Sequence, residues 1–155
     1  ADDVMAADAP TIHACAVLVG AKAVLIRGPA GSGKSRLAWD LLEAARQGAV
    51  PFARLVADDR VHHEVHAGRL LVRPAKELAG LIEMHGLGIR QMAFEPVAAV
   101  GLVVDLAAPD GARLPGPQAE TTVISGVTLP RLAVATGMAA LPLVLARLRT
   151  VSALD

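Results

Sequence analysis

The sequence predicts an α/β fold, and three observations carry that prediction. A glycine-rich turn at residues 28–35 lies between an apolar strand-like run and an amphipathic helix-like run. Several further apolar runs are short enough for strands and are bounded by Gly, Pro or charged residues. The apolar residues, 54% of a 155-residue chain, are mainly Ala, Val and Leu. That is the composition of strands buried on both faces and of the helices that cover them.

The elements follow in order. Residues 14–19 (ACAVLV) and 22–27 (KAVLIR) read as two strands joined across Gly20–Ala21, a hairpin. After the glycine-rich turn, residues 34–47 read as a helix with Leu37, Leu41, Leu42 and Ala45 on one face, closed by Gly48. Residues 54–59 (RLVADD) form a short strand ending in two acids, and 61–72 is β structure carrying His62, His63 and His66. Pro74–Ala75 is a break, 76–82 is helix or loop, and Gly86–Gly88 turns tightly. Residues 97–106 make a long apolar strand and 109–117 a Pro/Gly-rich surface loop. Residues 123–124 and 132–134 are further short strands, and 139–149 is a last amphipathic helix, interrupted at Pro142. Residues 1–10 are expected to be a flexible leader and 11–155 a single domain.

Composition excludes several functions. Mean hydropathy is high at +0.48, yet every apolar run is broken within about 12 residues, whereas a helical membrane span needs about 20. Fifteen basic residues balance fifteen acidic ones and aromatics are 2%, so neither a basic patch nor a stacking series favours nucleic acid. The start has no basic segment followed by a long apolar run, so it does not read as a signal peptide. Cys15 is the sole cysteine, which excludes an internal disulfide and reads as a small buried residue. A reducing cytoplasm is the expected location.

Gly28-Pro29-Ala30-Gly31-Ser32-Gly33-Lys34-Ser35 fits the phosphate-binding P-loop pattern at every position, in the strand–turn–helix context it requires. Glycines let backbone N–H groups converge on phosphate oxygens without a Cβ in the way, and the helix N-terminus adds partial positive charge. Lys34 reaches the outer phosphates and Ser35 offers a hydroxyl to Mg²⁺. The Asp58–Asp59 pair ends a buried strand, where an acid serves the metal in proteins of this type. Of two adjacent acids, one would help hold the ion and the other take a proton from an attacking hydroxyl. Glu83 precedes the Gly86–Gly88 turn and alone reads as a surface acid. The three histidines of 61–72 have no acid or cysteine placed to complete a metal site and read as exposed strand residues.

Taken together these pieces resemble the catalytic domain of the bacterial HPr kinase/phosphorylase family, over residues 12–132. The specific parts are Arg54–Asp59 (RLVADD), Glu83-Met84-His85-Gly86-Leu87-Gly88-Ile89, and Ile12-His13 ahead of the P-loop. Arg113-Leu114-Pro115 is similar to a later family motif that carries a functional arginine. The resemblance implies a P-loop domain of the HPr kinase/PEP carboxykinase-like type, a central mixed sheet with flanking helices, in a short form made of the catalytic part alone. It implies an ATP- and Mg²⁺-dependent kinase for a serine of HPr, the phosphocarrier of the sugar phosphotransferase system, assembled as a homo-oligomer, a hexamer in the family. The implied roles are phosphate binding for Lys34 and the loop and metal binding for Ser35 and Glu83. One of Asp58 and Asp59, by spacing Asp59, would be the base, with His13 tuning the pair and Arg113 approaching the transferred phosphate.

The chain departs from the family at three places. Arg36 follows the P-loop serine where a glutamate is usual, and His85 replaces an arginine. Ala135-Thr136-Gly137-Met138 stands where a motif with two arginines serves phosphorolysis. Two other readings use the same P-loop: a kinase for a small metabolite, and a nucleotide-binding sensor without catalysis.

Overall fold

A computed structural model describes residues 9–153. The expected leader falls mostly on residues 1–8, outside the described residues. Eleven strands and two α-helices follow one another along the described chain: β1 (Thr11–Ile12), β2 (Cys15–Val19), β3 (Lys22–Arg27), α1 (Lys34–Arg46), β4 (Ala53–Ala57), β5 (Val61–His66), β6 (Arg69–Pro74), β7 (Leu81–Met84), β8 (Gly88–Gln91), β9 (Ala98–Leu106), β10 (Thr121–Ile124), β11 (Val127–Val134) and α2 (Ala140–Arg149).

Nine of these strands form one mixed sheet, and β7 pairs with β8 in a separate hairpin. At the centre β3 runs parallel to β9, and β9 parallel to β11, with Arg27 opposite Asp105 and Arg131 opposite Val103. The other pairings are antiparallel, including the β2–β3 hairpin across Gly20. One edge of β9 is shared: β6 takes its first residues and β11 its last four. The sheet therefore forks along a single strand. The three parallel strands all end at the same side, which is where ligands bind in α/β sheets.

β3 and β9 are buried on both faces, which is why their sequences are continuous apolar runs. On one face Val24, Ile26, Leu102 and Val104 meet Leu37, Ala38 and Leu41 of α1 and Val144 of α2. On the other, Ala23, Leu25 and Val103 meet Val61, Leu70, Val72 and Leu129. The helices flank the sheet on one face only, and the β5–β6 and β10–β11 hairpins curl over the other.

Local chemistry sets the ends of α1. The helix stops at Arg46, and Gly48 follows at φ 83°, with Gly48 N–H donating to Ala45 C=O and Ala49 N–H to Ala44 C=O. This pairing caps the last carbonyls. In α2, Pro142 does not interrupt the helix. It sits in the first turn, where no intrahelical N–H is needed. Residues 76–82 divide between a single 3-10 turn at Lys76–Leu78 and the start of β7.

His63 departs from expectation in a way that matters for stability. It is only 8% exposed, because β5 turns Val61 and His63 inward while His66 stays outside. Its Nδ1 lies 3.4 Å from Ser125 Oγ in the β10–β11 turn. Burial, and then the neighbouring His62, lower its pKa from the ordinary 6.5. Below about pH 6.5 the unfolded chain therefore takes up a proton that the folded chain resists, so stability falls as pH drops through this window. The melting temperature should decrease between pH 7.5 and pH 5, and His63→Gln should flatten that decrease. An unchanged pH profile in the variant would remove His63 from the account.

Candidate functional site

The glycine-rich turn leaves β3 at Gly28 and enters α1 at Gly33, which stands just before the helix in the left-handed region at φ 99°. No side chain caps the helix, so its first N–H groups face the loop. At Gly28 a Cβ would lie 2.5 Å from Ser32 Oγ and 3.1 Å from Leu106 Cβ, so only glycine fits beside the end of β9. Ser32 Oγ itself is buried without a hydrogen-bond partner in the protein. Lys34 Nζ folds over the loop and donates to the carbonyls of Gly28 (2.8 Å) and Pro29 (3.2 Å).

The two acids after β4 have different surroundings. Asp58 is 5% exposed and lies beneath the helix start. Its Oδ1 accepts from Ser35 Oγ at 2.6 Å and from the Cys15 thiol at 2.8 Å, and its Oδ2 accepts from the main-chain N–H of Glu83 at 2.9 Å. Burial, and then the adjacent Asp58 charge, push the Cys15 thiol far above the usual thiol range, so it stays protonated and a donor. Asp59 lies past the strand, not in it. Its φ is +72° and Arg60 N–H donates to Asp58 C=O at 2.8 Å, which makes a γ-turn, an infrequent and strained conformation for a non-glycine residue. The turn, rather than strand alternation, sends the two carboxylates in different directions. Asp59 C=O accepts from Ala14 N–H, so the residue after His13 is tied to the same turn.

Asp59, His13, Glu83, Lys34 and Ser35 all line one cleft of about 1030 Å³. Glu83 comes from β7 of the projecting hairpin, whose second strand is exposed throughout. On the far side of the loop a second cavity, about 630 Å³, lies between the glycine-rich turn and the segment from Val134 to Pro142. Arg113 lines neither cavity; it sits on the exposed loop 109–117. The structure thus brings together every residue singled out in the sequence except Arg113.

The sequence reading missed Cys15 as a partner of Asp58, and nothing in its pattern marks it. It also missed an ion network at the root of the site. Asp105, at the end of β9, accepts from Arg27 Nε at 2.7 Å and Nη2 at 2.8 Å, and from Arg131 Nε. Arg131 also pairs with Asp110. Burial would raise the Asp105 pKa, but the hydrogen bonds and charges of Arg27 and Arg131 outweigh it and hold the carboxyl below its ordinary range. Arg27 immediately precedes the glycine-rich turn and Arg131 leads to the segment that walls the second cavity, so Asp105 ties the two together. Asp105→Ala should cost about 3 kcal/mol in urea unfolding, because two half-buried guanidinium groups lose their partner. A loss under about 0.5 kcal/mol, the size of an ordinary surface change, would show that water replaces the carboxylate.

Among the described residues, no group of three His, Cys, Asp or Glu is placed to hold a metal by itself. The oxygen set here is mixed: a serine hydroxyl, a buried carboxylate beside it and a second carboxylate across the cleft. That set suits a hard cation whose remaining ligands are water and phosphate oxygen. The features define an α/β domain in which a glycine-rich turn at a helix start shares one cleft with Asp59 and Glu83.

The family described as HPr Serine kinase C-terminal domain matches residues 5–137, and the chain belongs to it. HPr kinase/phosphorylases from strains of Streptococcus thermophilus are 38% identical over 86 residues, which is 54% of this chain and 25% of theirs. The match thus spans a quarter of the length of those relatives. The structure of the Hpr(Ser) kinase/phosphatase from Coxiella burnetii superposes with a TM-score of 0.72 at 25% identity, covering 90% of this chain and 94% of that one. The mixed α/β fold is therefore shared with a kinase of this family. No helix among the described residues is long and apolar enough to cross a membrane.

Proposed function

We propose that the chain is the catalytic domain of an ATP- and Mg²⁺-dependent protein serine kinase acting on HPr, a P-loop domain of the HPr kinase/PEP carboxykinase-like type. One observation carries this reading. The P-loop serine and a buried aspartate are joined at 2.6 Å, and Asp59, His13 and Glu83 open onto the same cleft as Lys34. An anion cradle alone would support only binding. A carboxylate on the same cleft supplies a base as well.

Each residue has a part in this reading. The main-chain amides of the loop 28–35 hold the β- and γ-phosphates, and Lys34 exchanges the two loop carbonyls for phosphate oxygens. Ser35, Asp58 and Glu83 would hold Mg²⁺, which supplies charge neutralisation at the phosphates. Asp58 keeps the Ser35 hydroxyl oriented, its own position fixed by Cys15 and the Glu83 amide. Asp59 takes the proton from the serine hydroxyl of HPr as that oxygen bonds to the γ-phosphorus and the bond to the β-phosphate oxygen breaks, releasing ADP. His13, which lines the same cleft, tunes the acid pair. The second cavity, walled by Leu106, Val134 and Met138, receives the nucleoside.

The segment Ala135–Met138 brings no arginine to the site, and Arg113 stands away from it. Forward transfer is therefore proposed to dominate over phosphorolysis. In the cell the enzyme would act in the cytoplasm in regulation of carbohydrate use. A homo-oligomer fits the exposed Leu87 and Ile89 on the projecting hairpin.

Incubation with ATP, Mg²⁺ and purified HPr tests the reading. Phosphoserine should form on HPr, and in the reverse direction phospho-HPr with inorganic phosphate should lose its label more slowly. Nucleotide binding without any transfer to HPr would favour a non-catalytic sensor.

A further inference from the structure

Arg36 lines the site and has no assigned part. It follows Lys34 and Ser35 in the first turn of α1, a turn that contains no acidic residue. Two cations at the positive end of a helix are disfavoured unless an anion lies against them. Arg36 is not buried: its side chain is 77% exposed. It is held to one side by Asp40, one turn along, with Nε at 3.1 and 3.2 Å from the two carboxylate oxygens. Both Arg36 and Asp40 line the phosphate cleft and also the second cavity. They therefore stand on the rim where the two spaces meet, on either side of the glycine-rich turn.

We propose that Arg36 is a nucleotide-binding residue that grips the phosphate nearest the sugar, leaving Asp40 to do so. This rests on the nucleotide reading above and refines it. A ligand that enters the cradle with its outer phosphates and the second cavity with its base must cross the rim with its innermost phosphate. The charge at that crossing is the one anion the cradle amides and Lys34 leave unmatched, and a guanidinium on a flexible stem reaches it from the helix surface. Asp40 serves as a parking place. It keeps the arginine close to the rim and weakens the repulsion between Arg36 and the helix start while no anion is there.

Calorimetric titration with Mg²⁺ present, using ADP and inorganic pyrophosphate as probes, separates the possibilities. Pyrophosphate fills the cradle alone, whereas ADP crosses the rim. Arg36→Ala should weaken ADP about tenfold, the size of one charge-assisted hydrogen bond lost at an accessible site. Pyrophosphate should keep its affinity within about twofold, the margin for a remote charge. Arg36→Lys should recover part of the ADP affinity, because charge returns without the planar fork. In turnover, Arg36→Ala should raise the KM for ATP and leave kcat unchanged. Equal ADP affinity in wild type and Arg36→Ala would overturn the assignment while leaving the nucleotide reading intact. Equal weakening of ADP and pyrophosphate would overturn it in favour of a general charge effect. Failure of the wild type to bind either probe would remove the nucleotide reading and this inference together.

Discussion

Asp59→Asn should lower transfer of phosphate to HPr by about 10²–10⁴-fold, the usual contribution of a positioned general base. Nucleotide affinity should hardly change, because Asp59 lines the cleft but makes no side-chain hydrogen bond to the loop or its helix. The backbone at this residue allows a second, sharper test. A γ-turn with φ at +72° costs a non-glycine residue about 1–3 kcal/mol. Glycine adopts it freely, at an entropic cost of about 0.5–1 kcal/mol. Asp59→Gly should therefore be as inactive as Asp59→Asn and at least as stable as the wild type in urea unfolding. Loss of activity together with loss of stability would mean that Asp59 holds the fold and that the base is elsewhere. The pair of variants thus distinguishes a strained catalytic position from an ordinary structural one.

Asp58→Ala should behave in the opposite way, losing stability and activity together. Its carboxylate is the common acceptor for the Ser35 hydroxyl, the Cys15 thiol and the Glu83 amide. Removing it leaves those donors without a partner in a site that is closed to water on the Cys15 side. An unsatisfied buried donor costs about 1–3 kcal/mol, so a total of about 2–4 kcal/mol is expected in urea unfolding. Transfer activity should fall below detection, since Ser35 loses its orientation and the proposed cation would lose a ligand. Substituting the neighbours separates the parts: Cys15→Val keeps the packing and removes one donor, and should restore some of the stability lost in Asp58→Ala. A fully stable Asp58→Ala protein would show that the three donors find other acceptors.

Much of the fold was legible because the determinants are local. The β2–β3 hairpin is written by apolar runs on either side of Gly20, α1 by the spacing of Leu37, Leu41 and Leu42, and β9 by an unbroken run of apolar residues. Three features were not legible, each for a physical reason. The short strands β1 and β8 are held by their partners, Thr11 opposite His62 and Ile89 opposite Glu83, and carry no pattern of their own. The placement of both helices on one face depends on which hairpins reach the other, a matter of long-range packing. His63 looked exposed because its polar character masks an inward register.

The site divides in the same way. The loop and the acid pair were recognisable from residue type and spacing, whereas Glu83 alone looked like a surface acid and was marked only by the family resemblance. The inequality of Asp58 and Asp59 was expected, but its cause is a turn beyond the strand, visible only in dihedral angles. The Asp105 network was invisible because its members, Arg27, Asp105 and Arg131, lie far apart in sequence and meet only when the three parallel strands align. Arg113 shows the converse: its sequence motif resembles the family, yet the loop that carries it stays outside both cavities.

The shared edge of β9 has a consequence for how the molecule comes to exist. The glycine-rich turn follows a strand completed by residue 27, but that strand's parallel neighbour begins only at Ala98, and the next at Val127. Chain closure over such separations is slow, and parallel pairing across them comes late in folding. A nascent chain would therefore expose the turn on a half-made sheet until most of the polypeptide has been synthesised. The proposed ability to hold phosphate should appear abruptly, as one of the last events in maturation, instead of growing in with the first hairpin.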